Sequence, residues 1–345
     1  MKHLPGLDGL RAASILLVIG AHTLPLGPKI LQVNHLAGVM GMSLFFCLSG
    51  YLITSTLLQK PDVWPFLVKR IFRIVPSMWL YLAILVLFLG VQWQNAILNA
   101  AFVSNYLVAG LNDGPTGILW SLCVEVQFYL AIGLLVWIAG VRGLYVIPFA
   151  ALAVTLIRID HQSYVNIATH LRVDEILAGG CLALVLHFRS SALRDWLATG
   201  TRSRLLLGAA VCVWLVSCHP LGGPMNYVRP YATALMMGLV LLAAPERLQR
   251  VLASKAAAYI AHISYALYIY HSLMIWGWMN EGSTAVRYLV KRPISWSLTL
   301  VAAHLSTFYW EAFWQRFARQ RILHEQPRPI TAPSASPARS LPGSR

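Results

Sequence analysis

Residues 7–22, LDGLRAASILLVIGAH, decide the fold. The run is apolar apart from Asp8 and Arg11 near its start and His22 at its end, and the breakers Pro25, Gly27 and Pro28 close it. At the helical rise Arg11 and His22 lie roughly 16 Å apart along one axis, so a helix with the arginine at a membrane surface carries the histidine into hydrocarbon. An ionisable side chain at that depth faces a cavity or a partner and marks a functional site by default. The structural alternative is a neutral imidazole hydrogen-bonded between helices.

The rest of the chain has the same character. It has 345 residues, 58% of them hydrophobic and 11% charged, and its mean hydropathy is +0.63. A soluble domain carries about 25% charged residues, so the composition predicts an all-α, polytopic integral membrane protein. The net charge of +15 raises the question of nucleic acid. The basic residues answer it: they fall mostly in short connections between apolar runs, where the positive-inside bias puts them, and no nucleic-acid partner is expected. Cys47, Cys123, Cys181, Cys212 and Cys218 lie within apolar segments without paired ligand spacing, which points to packing and to no metal site. The first run lacks a small-residue cleavage site and leads into a second, so it is expected to stay in the mature protein.

Apolar runs fall near 7–24, 36–58, 74–91, 118–139, 144–159, 172–188, 205–218, 227–244, 262–279 and 294–315, predicting about ten transmembrane helices. With both termini cytoplasmic, the inner connections receive Lys60, Lys69, Arg70, Arg73, Arg142, Arg189, Arg194, Arg202, Arg204, Arg247, Arg250 and Lys255, whereas the outer loops keep chiefly Lys29, Arg287, Lys291 and Arg292. The segment 96–110, interrupted by Asn99, Ser104 and Asn105, is expected to be re-entrant or interfacial, because a full crossing would turn every later basic loop outward. Residues 1–321 form one transmembrane domain in this reading. The Pro/Ser/Ala-rich stretch 322–345 is expected to be a disordered cytoplasmic tail.

Four further segments carry chemistry-bearing residues. KRIFRIVPSMW is read as a loop running into the next helix, with Arg70 and Arg73 three apart and Pro76 early enough to be tolerated; it is either ordinary topology or a fork of guanidiniums for a phosphorylated ligand. In ILWSLCVEVQFYL, Glu125 follows Trp120 and Ser121 in a helix that starts from the outer face, and a buried carboxylate needs a partner or a proton. Its expected place is near His22, at similar depth; a helix-stabilising ion pair is the alternative. Arg172, with Asp174 and Glu175, is read as lining an outer vestibule or as an interfacial charge pair. His271 falls near mid-membrane after Tyr265, Tyr268 and Tyr270, whose hydroxyls also offer it purely structural hydrogen bonds. Ser49, in the Gly- and Ser-rich second run, lacks the elbow of a hydrolase nucleophile and reads as helix packing.

Taken together and in this order, LDGLRAASILLVIGAH with MSLFFCLSGYLIT, KRIFRIVPSMW, ILWSLCVEVQFYL and ISYALYIYHSL resemble the acyltransferase 3 family of bacterial membrane acyltransferases. The resemblance covers about residues 4–315. It implies a ten-helix enzyme of the bacterial cytoplasmic (inner) membrane that moves an acyl group, usually acetyl, from cytosolic acyl-CoA to a carbohydrate hydroxyl, with no tightly bound cofactor. It also implies that His22 is the family's essential histidine, Arg11 its partner on the same helix, Arg70 and Arg73 the paired loop arginines, and Glu125 the glutamate after Trp-Ser-Leu. Val126 departs from the pattern, since the family commonly has a second acidic residue there.

Coenzyme A joins anionic phosphates to a thioester on a long flexible arm, which suits arginines at one end of a channel and an acid/base residue deeper in. On this expectation Arg11, Arg70 and Arg73 bind acyl-CoA, His22 and Glu125 are catalytic, and Trp120, Ser121, Arg172 and His271 line the acceptor site or channel. His22 either deprotonates the acceptor hydroxyl or briefly accepts the acyl group. The expected acceptor is a surface polysaccharide or lipid-linked saccharide; a glycosylated metabolite such as a macrolide is the alternative within the same chemistry. A proton-coupled transporter with a His22, Glu125 and His271 relay is the alternative of a different class. The lack of an appended extracytoplasmic domain weighs against a two-stage peptidoglycan system.

Overall fold

The computed structural model describes residues 5–107, 114–197, 200–275 and 281–324. All the regular secondary structure among these residues is helical. In order come α1 (Pro5–Thr23), α2 (Val33–Gln59), α3 (Val63–Leu89), α4 (Trp93–Ala100), α5 (Trp120–Ala139), α6 (Ile147–Asp160) and α7 (Asp174–Leu197). Then follow α8 (Gly200–Cys218), α9 (Arg229–Ala243), α10 (Glu246–Leu252), α11 (Lys255–Ile275), α12 (Thr284–Val286), α13 (Arg292–Leu305) and α14 (Ala312–Phe317). Three π-helical turns, Arg287–Lys291, Ser306–Glu311 and Ala318–Ile322, interrupt the last helical run. The expected tail at 322–345 lies outside the described residues beyond His324.

Within the described residues, each of the ten expected apolar runs falls on a helical stretch, 262–279 being described only as far as residue 275. Among the described residues, length and hydropathy together single out five helical spans as able to cross a membrane: Lys29–Gln59, Val63–Leu89, Gly114–Asp160, Asp174–Leu197 and Gly200–Cys218. Arg229–Ala243 with Glu246–Leu252, bent by 105°, makes a sixth. Two of the others fall short for visible reasons. Helix α1 carries Asp8 and Arg11 within 19 residues, and α13 ends after 14 residues at a π turn. The outer faces of the long helices display Leu87, Phe88, Trp137, Ile138, Phe149 and Leu205, each at least 70% exposed, a surface fit for lipid rather than water. Helix α4 has eight residues, a rise of roughly 12 Å, which is too short to cross. The turns after it are pinned from α5 by Gln127, which donates to the Phe102 carbonyl at 2.7 Å. The end of this segment, 108–110, lies outside the described residues.

Helix α2 is central, packed on α1 along one side and α7 along the other. Glycines set both distances. A Cβ at Gly41 would sit 2.7 Å from the Ser14 carbonyl oxygen of α1. At Gly50 it would fall 1.7 Å from the Ile176 oxygen of α7, and at Gly179 of α7 it would fall 1.9 Å from the Cys47 oxygen of α2. The α2–α7 pair therefore meets backbone to backbone, as small residues permit in membrane helices.

Candidate active site

Pro61 and Asp62 separate α2 from α3, so the helix has begun well before the basic stretch is reached. Arg70 and Arg73 are thus helical residues and not part of a loop, and Pro76 lies inside the helix instead of in its first turn. A proline there costs the backbone one hydrogen bond. The same turn is braced from α11 by the Tyr265 hydroxyl, which donates to the Ile74 carbonyl at 2.5 Å. Three residues apart, the two arginines share a face. They line a small cavity with Arg11 of α1, Phe45 and Ser49 of α2, and Glu125 and Tyr129 of α5. Arg11 and Arg73 also line an adjoining, larger cavity of about 320 Å³, together with Asp8, His262 and Glu311. The Arg70 guanidinium lies over the rings of Phe66 and Tyr129, 5.9 and 5.7 Å from their centroids.

Glu125 belongs to this arginine chamber. Its Oε1 accepts from the Ser49 hydroxyl at 2.6 Å and from the Tyr129 hydroxyl one helical turn on. This corrects the expected placement beside His22. The reason is helix periodicity: Trp120 faces the histidine, and five residues further along α5 the chain has risen roughly 7.5 Å toward the level of Arg11.

His22 opens onto a separate chamber of about 490 Å³, lined by Asn34, His35, Trp120, Arg172 and Tyr268 among others. Its imidazole is exposed to that space, while the adjacent His271 is buried at 1% exposure. His22 Nδ1 meets His271 Nε2 at 2.9 Å, and His271 Nδ1 meets the Tyr268 carbonyl oxygen at 2.5 Å. Ser121, fully buried, shares a 2.7 Å hydrogen bond with the Tyr268 hydroxyl, which itself donates to the Ile118 carbonyl at 2.7 Å. Of the four residues expected to line the site, Trp120 and Arg172 do so. Ser121 and His271 stand behind the wall, because α11 turns its Tyr268 toward the chamber and its His271 toward α1.

Two aromatic contacts separate the chambers. Phe45, on the arginine side, stacks on Tyr268, on the histidine side, with centroids 6.4 Å apart and planes within 6°. Phe46 meets Trp120 edge-on at 5.8 Å. Consecutive residues of α2 thus form the partition, and Ser49 on the next turn holds Glu125.

Arg172 does not belong to an exposed interfacial pair. It joins a buried network at the head of α7: Arg158 pairs with Asp174, and Glu175 takes Arg229 at 2.6 Å and Arg172 at 3.2 Å. The Arg172 guanidinium also lies 5.7 Å from the Phe46 ring centroid and 5.6 Å from that of Trp120. Sequence reasoning missed Arg229, Tyr129 and Glu311. Tyr129 was findable as the i+4 neighbour of Glu125. Arg229, just before Pro230, resembled a loop charge, and Glu311 was hidden in an apolar run whose π turn is a tertiary feature. Among the described residues no group of three or more His, Cys, Asp or Glu side chains is placed to hold a metal ion.

The motifs that carried the resemblance, scattered from α1 to α11, converge on these two chambers. A family model described as an acyltransferase domain matches residues 4–314. The chain belongs to the acyltransferase 3 family. Over 315 residues it is 24% identical to the peptidoglycan O-acetyltransferase OatA of Listeria monocytogenes, covering 78% of this chain and 49% of that protein. It is 32% identical over 225 residues to the putative peptidoglycan O-acetyltransferase YrhL of Bacillus subtilis, covering 53% of this chain and 33% of the relative. The O-acetyltransferase OatA of Staphylococcus aureus is 28% identical over 218 residues, covering 53% of this chain and 35% of its own length. The chain thus spans between about a third and a half of these relatives. No solved structure matches it. Family membership agrees with the apolar helices in making this an integral membrane protein of the acyltransferase 3 family, whose relatives named above are bacterial.

Proposed function

We propose that this chain transfers an acetyl group from cytosolic acetyl-CoA to a hydroxyl of a carbohydrate acceptor, a surface polysaccharide or lipid-linked saccharide, at the cytoplasmic membrane. The observation that carries this reading is the division of α1 between two chambers, with Arg11 beside Arg70 and Arg73 at one end and His22 in an open chamber at the other. Guanidiniums suit phosphate oxygens. The arm of coenzyme A supplies the reach between chambers, with Phe45 and Tyr268 between them as the place where it would pass. Glu125, bonded to Ser49 and Tyr129, offsets the like charges of the arginines.

In the reaction His22 takes the proton of the acceptor hydroxyl as its oxygen attacks the thioester carbonyl carbon. The carbon–sulfur bond then breaks, and the proton passes to the departing CoA thiolate. Direct transfer is preferred over an acyl-histidine because it needs one bond exchange instead of two. The relay of His22, Glu125 and His271 that a transporter would use is not continuous here, since Glu125 is bonded in the other chamber. The relatives' names point to peptidoglycan as one carbohydrate acceptor to try first.

The test is release of free CoA thiol by purified protein in proteoliposomes supplied with acetyl-CoA and bacterial glycan extract. Acceptor-stimulated release is expected in the wild type and is expected to fall at least about a hundredfold in His22→Ala. Full release by the variant would remove His22 from the chemistry.

A further inference from the structure

His22 of the open chamber and His271 behind its wall fix each other's protons. His271 Nδ1 lies 2.5 Å from the carbonyl oxygen of Tyr268 on its own helix. A carbonyl only accepts, so Nδ1 of His271 carries the hydrogen. His271 is 1% exposed, and Leu16, Ile19, Thr23 and Trp296 surround it, with no carboxylate among the described residues of that pocket to hold a cation. It is therefore neutral, and its Nε2 is a bare lone pair. The partner of that lone pair is Nδ1 of His22 at 2.9 Å, which must be the donor.

The ring geometry agrees. The planes are within 3° and the centroids 5.2 Å apart. Near-parallel rings with a 2.9 Å nitrogen contact cannot be stacked face to face, because stacked rings sit further apart than that. They lie edge to edge in nearly one plane, so the N–H bond points along the lone pair. The ionisable groups around His22 are His271 and Tyr268 from α11, His35 from α2 and Arg172 before α7; no described carboxylate lines the chamber.

We infer that His271 is a positioning residue that holds His22 in the Nδ1–H tautomer, which makes Nε2 of His22 the atom that takes the acceptor's proton. This rests on the reading of His22 as the general base and names its reacting atom. When Nε2 gains the proton, the Nδ1–H bond to His271 remains and strengthens, because its donor is now charged. A neutral histidine thus takes the orienting place that a carboxylate holds in a hydrolase triad. The bond engages Nδ1 with a residue that does not line the chamber, so Nε2 is the nitrogen that His22 has to offer the acceptor.

The experiment compares wild type, His271→Phe and His271→Gln in lipid nanodiscs, each labelled with ¹⁵N-histidine, with His22→Ala used to assign the His22 signals. The wild type is expected to show a protonated Nδ1 and a bare Nε2 at His22. His271→Phe is expected to lose that preference and to slow acceptor-dependent CoA release at least about tenfold, with the KM for acetyl-CoA unchanged. Glutamine places its side-chain oxygen near the position of Nε2, so His271→Gln is expected to restore the tautomer and most of the rate. A wild-type spectrum with the hydrogen on Nε2, or full turnover by His271→Phe, would overturn the inference. So would a His271→Gln variant that keeps the tautomer and is as slow as His271→Phe. Full turnover by His22→Ala would instead remove the general-base reading, and the spectrum separates these failures because it reports the tautomer independently of rate.

Discussion

At the scale of single residues, charge and hydrogen-bond geometry separate three side chains that lie close in sequence or role. Arg70 and Arg73 present planar, fixed-charge forks in the arginine chamber, whereas a lysine there would be a point charge on a flexible stem. Replacing either arginine with alanine is expected to raise the KM for acetyl-CoA about 10- to 100-fold with a smaller effect on acceptor dependence, the loss matching a charge-assisted hydrogen bond. Lysine is expected to recover little of it. Initial-rate measurements across acetyl-CoA concentrations check this, and an unchanged KM would leave the arginines with topology alone. Glu125 differs from both, since its carboxylate is already engaged by Ser49 and Tyr129 and lies a turn and a half of α5 away from Trp120.

At the scale of helices, small residues fix distances that side chains cannot. Helices α2 and α7 meet where Gly50 faces Ile176 and Gly179 faces Cys47. Because a Cβ at Gly50 would overlap a carbonyl at 1.7 Å, relief requires moving a backbone and not a side chain. Gly50→Ala is expected to destabilise the protein by at least about 2 kcal/mol. Gly208 of α8 has nothing within 4 Å of its virtual Cβ, and Gly208→Ala is expected to be neutral or to stabilise by about 0.5–1 kcal/mol. Thermal unfolding in one detergent compares the pair. If both behave alike, the close crossing is not what holds α2 in place. The crossing matters for the site because α2 supplies Phe45, Phe46 and Ser49 to the partition between chambers.

At the scale of the whole molecule, the buried charge network ties together elements that are distant in sequence. Arg158 from α6, Arg172, Asp174 and Glu175 around the head of α7, and Arg229 from α9 form one buried cluster, which reaches the histidine chamber through Arg172. Arg229→Met would leave Glu175 with only the longer contact to Arg172. A loss of about 1.5–3 kcal/mol is expected, read as a lowered unfolding midpoint in detergent, because the buried Glu175 carboxylate loses its shorter charge-assisted hydrogen bond. Unchanged stability would mean that Arg172 alone satisfies Glu175.

Much of this protein is determined by sequence alone. The apolar runs predicted where the long helices lie, since burial of backbone polar groups in lipid leaves helices as the only answer for such segments, but not the short helices α4, α10 and α12. The motifs LDGLRAASILLVIGAH, KRIFRIVPSMW, ILWSLCVEVQFYL and ISYALYIYHSL named the residues that gather at the centre and the family to which they belong. Tertiary structure alone decided which of those residues meet. Depth counted along each helix placed Glu125 with His22, yet the register of α5 against α1, α2 and α3 places it with the arginines. The partner of His22 is His271, 249 residues away, and no local pattern encodes that distance. Helix formation follows from composition and local hydrogen bonding; the angles and offsets between helices follow from glycine contacts and buried charge pairs, which come into being only when the helices pack.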